Sequence, residues 1–105
     1  IVGKTVYSGI VEGRVVKVDA KNIEKVKFPL KAILVCDNTD VRYLPFMKRS
    51  SAIITRRGGI LSHAAIIARE LKKPCIIGAQ DVLSLMRTGD RVIVNASKGF
   101  IIKTK

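Results

Sequence analysis

The sequence has no tryptophan, three prolines, two cysteines and one histidine, and its acidic residues are few, with 8 Asp and Glu against 20 Lys and Arg. Each shortage excludes something. Aromatic residues make up 5% of the chain and no continuous basic stripe runs through it, so nucleic acid is not an expected partner. Few prolines together with 48% hydrophobic residues are the reverse of a disordered composition. No apolar run approaches the roughly 20 residues that a membrane-spanning helix needs, and no basic start leads into an apolar block with a cleavage site. Neither a membrane nor an export route is expected. Cys36 and Cys75 both lie within apolar runs and have no partner at metal-ligand spacing, which reads as reduced core thiols in a cytoplasmic protein.

The length of 105 residues suits one compact domain, 1–105, and is too short for two of ordinary size. The chain opens on Ile1 and not on Met, so a fragment or subunit of something larger is expected. A net charge of +12 implies an anionic partner, although sign alone does not separate nucleic acid, acidic protein and phosphate. The cations are spread along the whole length, with small clusters at Lys48-Arg49, Arg56-Arg57 and Lys72-Lys73.

Residues 10–18 mix β-branched and polar positions and predict a strand with one wet face, followed by a polar loop or edge over 19–27. Residues 32–36 form a short unbroken apolar run, the pattern of a strand buried on both faces, with Asp37-Asn38-Thr39 as a turn. A short helix is predicted over 43–48, with Pro45 in its first turn, where a missing N–H does no harm. Residues 51–55 predict a strand that enters the loop Arg56-Arg57-Gly58-Gly59-Ile60-Leu61, and residues 62–71 predict a helix capped by Ser62 and stopped by Pro74. Cys75-Ile76-Ile77 predicts a strand ended by Gly78, residues 81–87 a weak helix capped by Asp81, and residues 91–95 and 100–103 a closing hairpin. About six strands with few helices fit an α/β domain of two sheets plus helices in layers.

One constellation carries chemistry. His63 stands at the start of a predicted helix, just after a Gly58-Gly59 loop that leaves a strand. Glycines allow a sharp turn and close approach of the backbone to a ligand, and the free amides and positive dipole end of a helix favour phosphate. Histidine, with an ordinary pKa of about 6.5, is largely neutral near pH 7 and can act as a nucleophile. Arg56 and Arg57 are candidates to bind phosphate oxygens. Spacing alone leaves open the plainer reading, in which His63 is a surface residue beside a cap and the glycines make an ordinary turn.

The segment from Gly58-Gly59-Ile60-Leu61-Ser62-His63-Ala64-Ala65 through Arg69-Glu70-Leu71 to Lys72-Lys73-Pro74-Cys75-Ile76-Ile77-Gly78 closely resembles the mobile, swivelling domain of phosphoenolpyruvate-utilising enzymes. The similarity extends upstream through Ala32–Cys36 and Thr39–Thr55, where Leu44-Pro45-Phe46-Met47-Lys48-Arg49 resembles phosphoenolpyruvate synthase, and downstream through Gly89-Asp90-Arg91-Val92. It implies a three-layer β/β/α swivelling phosphohistidine fold and makes His63 the residue that is phosphorylated, through Nε2. ATP or phosphoenolpyruvate would be the donor, and an acceptor such as pyruvate would take the group. It also implies that this domain binds no cofactor or metal itself: magnesium and ATP belong to partner domains, an ATP-grasp nucleotide domain and a barrel that binds phosphoenolpyruvate or pyruvate. Gly58, Gly59, Ser62, Arg56, Arg57 and Thr55 are the expected phosphate-binding neighbours. Thr39 reads as a helix cap, whereas the resemblance puts it near the phosphohistidine loop; capping is the favoured reading. Arg69 and Glu70 are expected to face solvent or a partner, since two helical turns of roughly 10 Å separate Glu70 from His63. Leu61 stands where many members have Thr or Cys, Lys72-Lys73 where Gly-Ile is common, and Asn95-Ala96 where Asp-Gly is usual. The rivals to a metabolic carrier are a basic interaction module without chemistry and a regulatory phosphoacceptor.

Overall fold

Three short apolar runs dictate the centre of the molecule. The computed structural model describes residues 1–104, and in it β3 (Ile33–Cys36), β4 (Ala52–Thr55) and β5 (Cys75–Ile77) are buried at every position. Strands buried on both faces need cover above and below, which parallel pairing with crossover helices supplies. β3 pairs in parallel with β4, and β4 with β5. The crossovers are α1 (Leu44–Arg49), entered through a 3-10 turn at Val41–Tyr43, and α2 (His63–Leu71). Pro45 lies in the first turn of α1, as expected.

β2 (Ile10–Lys17) joins two parts of the molecule. Its end, Val15–Lys17, runs parallel to β3, and its beginning, Ile10–Arg14, runs antiparallel to β6 (Arg91–Asn95), which pairs in turn with β7 (Phe100–Lys103). Gly13 sits near this changeover, where a Cβ would come within 3.2 Å of Ile33 Cδ1 and of the Lys31 carbonyl. The outcome is one continuous sheet of order β1-β5-β4-β3-β2-β6-β7, where two sheets were expected, because β2 is long enough to serve both parts. β1 (Lys4–Tyr7), on the far edge against β5, was not predicted: its residues are exposed or half-buried and carry no burial pattern.

The layering is nevertheless β/β/α. One cluster, including Val15, Ile54, Ile76, Val92, Val94 and Ile101, fills the space between the parallel strands and the β6–β7 wing. A second, including Leu34, Met47, Ile53, Ala68 and Ile77, lies between the same strands and the helices α1 and α2. Neighbours Ile53 and Ile54 therefore point into different clusters, as the two-residue side-chain period of a strand requires. Full burial of one such side chain contributes roughly 1.5–3 kcal/mol. Cys36 and Cys75 are free and buried, and burial pushes both thiols up to about 12, so they are packing residues.

Two local expectations need correction. α3 is a single turn, Val82–Leu85, and Asp81 makes no side-chain cap to it; Asp90 instead accepts from the Arg87 amide just beyond. α2 ends before Pro74 acts: Lys72 takes the left-handed conformation, φ 56°, and its amide reaches back to the carbonyls of Ala68 and Arg69. Pro74 then prevents any continuation. Among the described residues no helix is long and apolar enough to cross a membrane.

Candidate functional site

The C-terminal ends of the parallel strands supply the loops of the site. β3 leads into Asp37-Asn38-Thr39, β4 into Arg56–Ser62, and α2 begins at His63. Ser62 is in extended conformation, and its hydroxyl accepts from the Ala65 amide at 3.3 Å, while its own amide donates to the Gly59 carbonyl at 3.0 Å. This cap sets the helix start and leaves the amides of His63 and Ala64 without an intrahelical acceptor. Gly58 has φ +119°, and a Cβ there would lie 3.1 Å from the Ser62 hydroxyl, so both the turn and the close approach need glycine. Gly59 differs: a Cβ there would meet nothing within 4 Å, which marks open space at the loop.

His63 is half-buried, and its Nδ1 lies 2.8 Å from the hydroxyl oxygen of Thr39. The Nδ1 atom is therefore occupied, and Nε2 is the nitrogen without a protein partner among the described residues. Thr39 is itself buried and does not cap the following turn; Asp40 does so, accepting from the Arg42 amide at 2.9 Å. The reading favoured from sequence is overturned because Asp40 stands one residue nearer the turn, which frees the Thr39 hydroxyl to face the imidazole.

Arg56 and Arg57 are brought together, but by a carboxylate. Asp37 accepts from Arg56 Nε at 2.7 Å and from Arg57 Nε at 2.9 Å, one oxygen for each guanidinium. Burial pushes the Asp37 carboxyl up, yet the hydrogen bonds from Arg57 and Arg56, with their charges, outweigh it and hold the group below its ordinary 3.8. A depressed folded-state pKa contributes stability that is present above the unfolded value and is lost as pH falls through the folded one. Chain stability should thus decline as pH drops below about 4, and Asp37→Asn should flatten that part of the profile. Because the pair is partly exposed and screened, the change is at most about 1 kcal/mol, read from urea midpoints at pH 5 and pH 3; an unaltered profile would remove Asp37 from the linkage.

The remaining candidates have local duties. The buried Thr55 hydroxyl donates to the Arg57 carbonyl at 2.6 Å and so closes the strand end instead of facing outward as a free donor. Arg69 is exposed, as expected, and its Nη1 also donates to the Ile60 carbonyl at 2.7 Å, which ties the glycine loop onto α2. Val41, two residues after Thr39, and Ile60, Leu61 and Ile66, within three residues of His63, are all exposed, Leu61 at 80% and Val41 at 74%. Beyond Thr39 opens a cleft of about 420 Å³ whose lining includes Asp19, Asp37, Asp40 and Arg57.

Residues 28–99 match the family described as PEP-utilising enzyme, mobile domain. The chain is 45% identical over 96 residues to a probable phosphoenolpyruvate synthase of Pyrococcus horikoshii, an alignment that covers 90% of this chain and 11% of that protein. This chain thus corresponds to about a ninth of that relative's length. A solution structure of Enzyme I superposes with a TM-score of 0.62 at 28% identity, covering 79% of this chain and 34% of that one. Thermococcus kodakaraensis aconitase X superposes with a TM-score of 0.73 at 20% identity over 98% of this chain and 96% of that one, a likeness of fold alone.

Proposed function

Since the chain belongs to the family of PEP-utilising enzyme mobile domains, we propose that it is a phosphoryl carrier in which His63 is transiently phosphorylated at Nε2. The donor is ATP or phosphoenolpyruvate and the acceptor a small molecule such as pyruvate. The observation that carries the reading is the Thr39 contact to Nδ1, which leaves Nε2 open beside a helix start.

With the Nδ1 proton donated to Thr39 Oγ1, the lone pair resides on Nε2. It attacks phosphorus, the N–P bond forms, and the P–O bond to the leaving group breaks with its electron pair on that oxygen. The ring becomes a phosphoimidazolium whose Nδ1 proton still donates to Thr39. An acceptor oxygen later attacks the same phosphorus, and the N–P electron pair returns to Nε2. The free amides and dipole of α2 favour the phosphoryl charge. The open space at Gly59 leaves room for a donor beside the helix start.

In this reading the domain contributes His63 as its nucleophile, and the donor and acceptor sites belong to partners. Magnesium and ATP are assigned to an ATP-grasp partner, and pyruvate or phosphoenolpyruvate to a barrel partner, fused or separate, in the cytoplasm. The exposed apolar side chains around His63 would pack against those partners and exclude water from a labile N–P bond. Mixing the chain with labelled ATP or phosphoenolpyruvate and the partner modules of a phosphoenolpyruvate synthase tests the reading. Acid-labile label on His63 that chases into pyruvate or its phosphorylated product supports it; label elsewhere, or label that never leaves, overturns it.

Thr39 is a positioning residue in this scheme. Thr39→Val should slow labelling about 10–100-fold, the value of a lost hydrogen bond of roughly 1–3 kcal/mol, while partner affinity stays the same. Imidazole nitrogen NMR should show the Nδ1–H tautomer depleted in Thr39→Val and restored in Thr39→Ser. Wild-type labelling by Thr39→Val would remove the residue from the mechanism.

A further inference from the structure

The parallel strands place the phosphorylation site at their C-terminal ends, and the chain entering their N-terminal ends lies on the opposite side. Lys31 precedes β3, Lys48 and Arg49 end α1 ahead of β4, and Lys72 and Lys73 lie between α2 and β5. The nine residues of α2 separate this end from His63 by about 13 Å along the helix axis.

Hydrogen bonds gather these cations into one surface. The Lys31 amide donates to the Arg49 carbonyl, Arg49 Nε donates to the Phe28 carbonyl, and Lys73 Nζ donates to the carbonyls of Lys48 and Ser50. Lys27 adjoins Phe28 on the same side. Among the described residues none of Lys27, Lys31, Lys48, Arg49, Lys72 and Lys73 has a carboxylate within salt-bridge distance, whereas the arginines around His63 are paired with Asp37 and Asp40. Lys31 and Lys72 also occupy left-handed backbone, φ 70° and 56°, where glycine or asparagine would be less strained. Two of the lysines at this end thus stand against local backbone preference.

We propose that this basic end is a docking surface for an acidic protein surface, separate from the phosphorylation site. Charge complementarity selects an anionic partner. The aromatic residues at hand do not select nucleic acid: Phe28 is buried and packs against half-buried Phe46 at 5.5 Å, so neither offers a face for base stacking. The inference does not depend on the carrier reading, because a ligand bound here leaves the imidazole free.

Poly-L-glutamate serves as the acidic probe, with a DNA duplex as the competing polyanion, both titrated at two salt concentrations. Two variants of equal net charge decide the matter: Lys31→Glu with Lys48→Glu and Lys72→Glu on the surface, and Lys4→Glu with Lys21→Glu and Arg87→Glu away from it. The surface variant should lose about tenfold or more in affinity for polyglutamate and the control less than threefold, with His63→Ala binding like wild type. Equal losses in both variants, no binding by the wild type, or tighter binding of the duplex at matched salt would overturn the proposal. Should the surface variant fail to fold, Lys48→Gln with Lys72→Gly removes charge without adding strain, and undiminished polyglutamate binding by that protein would equally overturn it.

Discussion

His63→Ala should take up no acid-labile phosphoryl label from ATP or phosphoenolpyruvate in the presence of the partner modules, a loss of at least about 10³-fold relative to wild type. The expectation is this large because His63 is the one histidine of the chain, and removing a nucleophile removes the covalent step itself. Stability should scarcely change. The imidazole is half-buried and makes one side-chain hydrogen bond, to Thr39, while the cap that starts α2 belongs to Ser62. Alanine is also the better helix former. Thermal unfolding within a few degrees of wild type, together with absent label, is the expected pair of results. Label retained on the variant would show that the phosphoryl group resides elsewhere and would end the carrier reading.

Ile54→Ala should do the reverse. Ile54 is fully buried in the middle layer, and its side chain lies in the cluster between the parallel strands and the β6–β7 wing, on the face away from α1 and α2. Truncating a buried isoleucine costs about 2–5 kcal/mol, through lost transfer energy and the cavity left behind. Against a total stability of about 5–15 kcal/mol that is a large fraction, and the melting temperature should fall by about 10 °C or more. Below that temperature His63 should still be labelled at close to the wild-type rate, because Ile54 packs on the face of the strands opposite α2, which carries His63. A cost under about 1 kcal/mol, measured by urea unfolding, would mean that the two β layers are not packed as described.

The pieces that could be read from sequence are those whose physics is local. The start of α2 follows from Ser62, whose hydroxyl finds an amide three residues on, and the turn before it follows from Gly58, which adopts a conformation that side chains resist. The central strands follow from apolar runs short enough to span one layer and unbroken enough to need burial on both faces. Such signals placed the imidazole at a helix start with a glycine loop behind it.

Contacts between distant residues were hidden. β1 became a strand because β5 offered an edge, with the Thr5 hydroxyl donating to the Ala96 carbonyl across nearly the whole chain. Asp37 lies 20 residues from Arg57, and nothing in either segment announces that one carboxylate holds both arginines. Thr39 and His63 are 24 residues apart, and only the parallel register of β3 and β4 brings their loops to the same end of the sheet. The amino-acid order by itself determined the helix on which His63 stands, its place at that helix's start and the short buried strands, since caps, turns and apolar periodicity act within a few residues. Which imidazole nitrogen stays free, where the arginines are held and how Lys31, Lys48, Arg49 and Lys73 come to one end were decided by the folded chain, because those depend on distances that exist only once the sheet has formed.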